Sequence, residues 1–138
     1  MKYMLDTNIC IYAIKNTFPG LREYMSNITP GEMCISSITL SELRYGAYKS
    51  AATSRNMIAI NQFLSTIQVI PYNEKAADEY GQIRSDLEKK GQVIGNMDML
   101  IAAHAKSTRM TVVTHNIKEF CRVDGLTVED WVESSVIS

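Results

Sequence analysis

The chain has 138 residues, 46% apolar and 21% charged, with 14 Lys and Arg against 15 Asp and Glu for a net charge of -1 at pH 7. That length and mix suit one domain burying roughly two-thirds of its unfolded surface, and they exclude a disordered chain and a protein that holds nucleic acid by bulk electrostatics alone. No apolar run approaches the roughly 18 residues of a membrane span, and Met1 to Asp6 reaches an acid before a secretory hydrophobic region forms, so a cytoplasmic protein with no membrane contact is expected.

In chain order, short β-rich runs alternate with longer helical patterns. Strands are predicted at Lys2 to Leu5, Met33 to Ser36, Gln68 to Ile70 and Thr111 to Val113, each apolar or β-branched and followed by a polar or turn residue. Helices are predicted near residues 8 to 16, 20 to 28, 40 to 50, 54 to 66, 74 to 90 and 97 to 108. Ala76, Tyr80, Ile83 and Leu87 keep one face of the fifth helix apolar, Gly91 suits its C-terminal stop, and Asn96 suits the N-cap of the sixth. The run Ile9 to Ile14 looks too apolar for a helix with one wet side, which suggests cover by a partner. The alternation predicts a single α/β domain over residues 1 to 138, with a central, mostly parallel, short-stranded sheet flanked by helices.

Four carboxylates stand in separate local signatures: Asp6 in Leu5-Asp6-Thr7-Asn8, Glu42 in Ser41-Glu42-Leu43, Asp98 in Asn96-Met97-Asp98, and Glu119 in the stretch from Thr114 to Phe120. Each has a bland reading. Asp6 serves as a helix cap, Thr39-Leu40-Ser41-Glu42 reads as a capping box, Asp98 complements a first helical turn, and Glu119 is a solvated acid on a turn. Position shifts the balance, because strand ends and helix N-termini share one edge of a parallel sheet. Converging carboxylates repel unless protons or a cation offset them, and hard oxygen donors select Mg²⁺ or Mn²⁺. Such a cup suits phosphodiester hydrolysis without a nucleophilic side chain.

These segments resemble the PIN-domain family, specifically the VapC toxins of bacterial toxin–antitoxin pairs. Met4-Leu5-Asp6-Thr7-Asn8-Ile9 resembles the first signature, and Ser36-Ser37 with Ser41-Glu42-Leu43-Arg44-Tyr45-Gly46-Ala47 the second. Ile94 through Ala105 resembles the third, and Val113 through Phe120 with Glu129-Asp130-Trp131 resembles the ending of the enteric type. The resemblance implies a metal-dependent endoribonuclease toxin of a type II system, with Mg²⁺ or Mn²⁺ held by Asp6, Glu42, Asp98 and Glu119. Many members carry Asp at the fourth position, so Glu119 is expected to reach further, through water. Thr7 and Asn8 match neighbours of the first acid, and Thr114 and Asn116 match polar positions bordering the site. The implied substrate is RNA, a tRNA above all and initiator tRNA in its anticodon region as the closest-looking case. The implied partners are a VapB-type antitoxin and a second copy, giving a homodimer and a toxin–antitoxin hetero-oligomer.

Cys10, Cys34 and Cys121 have no zinc spacing and read as reduced core or near-core thiols. His104, mid-helix among alanines, reads as a satisfied core imidazole, and His115 lies near the site but outside the catalytic set. A phosphoacceptor receiver-like domain fails, because Asp6 lacks a paired acid and Val113 is followed by Thr114 rather than leading to Lys. A non-catalytic module that kept the fold is the other rival, and four intact acids count against it.

Overall fold

A computed structural model describes residues 1–137, with side chains through Ser135. Five strands form one sheet: β1 (Tyr3–Leu5), β2 (Met33–Ser36), β3 (Gln68–Ile70), β4 (Thr111–Val113) and β5 (Val128–Glu129). Their spatial order is β3-β2-β1-β4-β5, and every pairing is parallel. Alternation along the strands divides the core in two. Leu5, Ile35 and Val113 face one side; Met4, Cys34 and Val112 face the other.

The first face is covered by α1 (Thr7–Lys15), α2 (Leu21–Ser26), α3 (Ser37–Lys49), α4 (Thr53–Phe63) and α8 (Trp131–Ile137), which contribute Ile9, Leu21, Leu43, Ile60 and Trp131. The second is covered by α5 (Glu74–Lys89), α6 (Asn96–Ser107) and α7 (Ile117–Phe120), through Ile83, Leu87, Ile101 and Phe120. Polar side chains set the helix starts. Asp6 caps α1 through Ile9 N at 2.8 Å, Ser36 caps α3 through Ile38 N at 3.1 Å, and Asn73 caps α5 through Ala76 N at 3.1 Å. Gly91, at φ 65°, ends α5 as expected, with Gln92 N donating to Leu87 O at 2.9 Å.

The structure corrects several sequence expectations. α3 begins at Ser37, so Thr39 is a buried residue inside the helix and the Thr39–Glu42 capping box does not form. Gly95 holds the cap position of α6; Asn96 is its first residue, and its Oδ1 accepts from Tyr80 OH at 2.5 Å. The helix expected over 54 to 66 ends at Phe63 and tightens into a 3₁₀ turn over Leu64–Thr66. Elements α7, β5 and α8 were not anticipated. Cys10 and Cys34 are buried, but Cys121 is exposed, on the turn after α7. The apolar run of α1 is covered within the chain in part: Ile9, Cys10 and Ala13 are buried, whereas Ile11, Tyr12 and Ile14 pack against the same core but stay partly exposed.

A candidate metal centre at the carboxyl edge of the sheet

In the middle of the sheet β1 pairs with β2 on one side and with β4 on the other. The connection after β1 runs to β2 and the one after β4 runs the opposite way to β5, which opens a crevice beyond the carboxyl ends of β1 and β4. Asp6 follows β1, Thr114 follows β4, and α3, α6 and α7 bring Glu42, Asp98 and Glu119.

Asp6 is 2% exposed, and its backbone amide donates to Val113 O at 3.0 Å, fixing the residue to β4. Burial raises its carboxyl from 3.8 to about 6; hydrogen bonds from the Thr114 side chain and the Ile9 amide oppose the rise, and the charges of Asp98 and Glu42 add to it. Asp98, in the first turn of α6, is likewise raised from 3.8 to about 6, first by burial and then by Glu119 and Glu42. Glu42 is held by the Thr7 hydroxyl, which donates to Oε1 at 2.5 Å, while the Thr7 and Thr39 hydroxyls lie 3.3 Å apart. Thr114 is fully buried and accepts from Asn116 N at 2.9 Å. Asn8 is exposed on the first turn of α1.

Asp6, Glu42, Asp98 and Glu119 therefore share one electrostatic neighbourhood, with Thr7 and Thr114 fastening two of them. Thr39 supports Thr7, a role its place in an apparent capping box concealed. Among the described residues, none of the four acids forms an ion pair with a basic side chain. The trio whose ligand atoms all lie within 4.8 Å of one another is His115, Asp130 and Glu133, outside this cup. There His115 Nδ1 meets Asp130 Oδ2 at 2.8 Å and the ring packs against Phe18, a pairing not visible in the sequence. Among the described residues, no three of the four acids bring their ligand atoms all within 4.8 Å of one another. All-oxygen donors, mutual repulsion and the lack, among the described residues, of a basic side chain paired with any of the acids fit a hard divalent ion that keeps part of its water. A groove of about 220 Å³ opens beside Glu42, lined by Ile11, Ile14, Leu43, Ala47 and Ile60.

A five-stranded parallel α/β sheet with acids at its switch point is the architecture of a nuclease-like domain, and the comparisons agree. The PIN domain pattern matches residues 3–126. The tRNA(fMet)-specific endonuclease VapC of Shigella flexneri is 50% identical over 131 residues, covering 95% of this chain and 98% of that protein. The crystal structure of DNA-bound VapBC from Salmonella typhimurium superposes with a TM-score of 0.90 at 48% identity, covering 95% of this chain and 98% of the other. VapBC2 of Rickettsia felis bound to a promoter DNA fragment superposes at 0.89, with 42% identity over 95% of this chain and 99% of that one. The chain belongs to the PIN domain family, and within that family it is similar to the VapC proteins.

Proposed function

We propose that the chain is a divalent-metal-dependent endoribonuclease, the toxin of a type II toxin–antitoxin pair, and that residues 1–138 form one nuclease domain. The observation that carries this reading is the state of Asp6: a buried carboxylate, repelled by Asp98 and Glu42, in a cup whose acids, among the described residues, form no ion pair with a basic side chain. Asp6, Glu42, Asp98 and Glu119 would hold Mg²⁺ or Mn²⁺. The bound ion supplies a polarised phosphoryl oxygen and a water nucleophile at neutral pH.

The chain's own residues do the rest. Asp6 is locked between the Ile9 amide and Thr114, so its free oxygen direction is set before any ligand arrives. Thr7 fixes one oxygen of Glu42 and leaves the other for the cup. Asp98 and Glu119 approach from α6 and α7, and Glu119, one methylene longer than Asp, reaches through water. Asn8 and Asn116 border the entrance, where amide groups suit RNA phosphate and ribose oxygens.

The substrate class is RNA, with tRNA first, by similarity to relatives named for tRNA(fMet)-specific cleavage. The partner is a VapB-type antitoxin, as in the related VapBC complexes, and the apolar groove beside Glu42 suits a segment of it. A homodimer, a toxin–antitoxin hetero-oligomer and a cytoplasmic setting belong to the same proposal; among the described residues no helix is long and apolar enough to cross a membrane. The test is to incubate antitoxin-free protein with total tRNA and Mg²⁺ or Mn²⁺ and to sequence the cut ends. One metal-dependent cut, lost with EDTA and in Asp98→Asn, supports the reading. Intact tRNA and ribosomal RNA from folded protein under both metals would return the chain to the non-catalytic alternative.

A further inference from the structure

His104 and Ser36 are fully buried, His104 on the helix that carries Asp98 and Ser36 at the end of β2, where it caps the helix that carries Glu42. His104 lies on α6, six positions after Asp98 and so about 9 Å along the axis. Ser36 is the N-cap of α3, six positions before Glu42. His104 Nδ1 meets Ser36 Oγ at 2.7 Å, while the same oxygen accepts from Ile38 N at 3.1 Å. The hydroxyl's single proton is then free for Nδ1, which leaves Nε2 protonated. Nε2 makes no well-formed hydrogen bond, the Pro71 carbonyl being the backbone acceptor near the ring, and burial pushes the imidazole pKa down. The ring also stands edge-on to Tyr72 at 5.5 Å, and Tyr72 N donates to Ser37 Oγ, at the first residue of α3, at 2.9 Å.

A buried imidazole with one poorly satisfied nitrogen, among alanines on a helix, is a poor choice for packing alone. A leucine there would remove the ill-satisfied ring nitrogen but strand the buried Ser36 hydroxyl, so the imidazole is kept for the bond to Ser36. Local rules are broken in this way where a site needs a fixed geometry. We infer that His104 is a positioning residue: its bond to Ser36 ties α6 to the cap of α3, so that Asp98 and Glu42 converge on one metal position. The inference rests on the metal reading above. It adds that the cup's geometry is set from behind the sheet edge, through a neutral imidazole that never touches the substrate.

Three substitutions separate this role from simple packing. In His104→Asn the amide sits where Nδ1 was and keeps the Ser36 bond in a smaller side chain. In His104→Gln the amide sits where Nε2 was and loses it. His104→Leu fills the space with no polar atom. Each is measured by melting temperature and by Mn²⁺ affinity of the RNA-free protein from electron paramagnetic resonance titration, followed by single-turnover RNA cleavage. The expected result is a split: Leu and Gln bind Mn²⁺ about tenfold more weakly than wild type, whereas Asn binds within about twofold of it although it melts no higher than Leu. Mn²⁺ affinity that follows melting temperature across the series would overturn the inference, as would three variants that all bind like wild type. Wild-type protein that takes up no Mn²⁺ would overturn the metal reading first and this one with it.

Discussion

At Asp6 one carboxylate serves both as the cap of α1 and as a wall of the acidic cup, and its titration separates the two uses. Its folded pKa of about 6 exceeds the unfolded 3.8, so in metal-free protein the group favours folding fully below pH 3.8, and that contribution is lost as pH rises through 6. Asp6→Asn keeps a cap acceptor and removes the charge. In EDTA at pH 7.5 it should unfold at higher urea than wild type, by up to about 3 kcal/mol, with the gap closing below about pH 4. A gap independent of pH would contradict that account of the carboxyl. Thr7 makes the complementary case. Thr7→Val keeps the shape and removes the donor to Glu42, so cleavage should slow about 10- to 100-fold, while Thr7→Ser should restore most of it. Equal rates for the Val and Ser variants would show that Glu42 does not need the hydroxyl.

At the scale of elements, capping and aromatic packing make separable demands. Asn73→Ala, at the start of α5 and away from the cup, should cost about 1 kcal/mol in urea unfolding without changing the cleavage rate per folded molecule. Trp131→Ala should cost about 3–5 kcal/mol, because the fully buried indole packs on Tyr3 at 4.9 Å and Tyr24 at 5.5 Å and donates to Glu129 at 3.0 Å. A loss under 1 kcal/mol there would mean that α8 is not bound to the core as described. The elements legible in the sequence were those with a full period to read, such as the Ala76–Leu87 face of α5 and the β-branched runs of β1 to β4. A four-residue α7 and a two-residue β5 are too short for any periodicity to show. The start of α3 was misread because Thr39 and Glu42 have capping-box spacing, whereas β2 runs into Ser36 without a loop and Ser36 takes the cap. The acids were legible because each sits in its own local signature. Thr7 and Thr114 were legible beside them, but Thr39 was not, since it meets Thr7 across 32 positions, nor was the separate His115–Asp130 pair, 15 positions apart.

For the whole molecule, a switch-point crevice gathers carboxylates that destabilise the metal-free fold above pH 6, and cation binding should return that stability. Mg²⁺ or Mn²⁺ at a hundred times its dissociation constant should stabilise the protein by about 2.7 kcal/mol at pH 7.5, and by less below pH 6 as protons compete for Asp6 and Asp98. Differential scanning fluorimetry across pH reads this, and a shift that grew on acidification would have the wrong sign. The most direct test of the central claim is single-turnover RNA cleavage in Mg²⁺ by wild type and by Asp6→Asn, Glu42→Gln, Asp98→Asn and Glu119→Gln, with folding checked by circular dichroism. Wild-type cleavage abolished by EDTA and at least about 100-fold slower in the two Asp variants, with the Glu variants also impaired, is the result expected of one metal-binding cup. Cleavage that survives EDTA, or a folded Asp98→Asn protein that cuts at the wild-type rate, would contradict it.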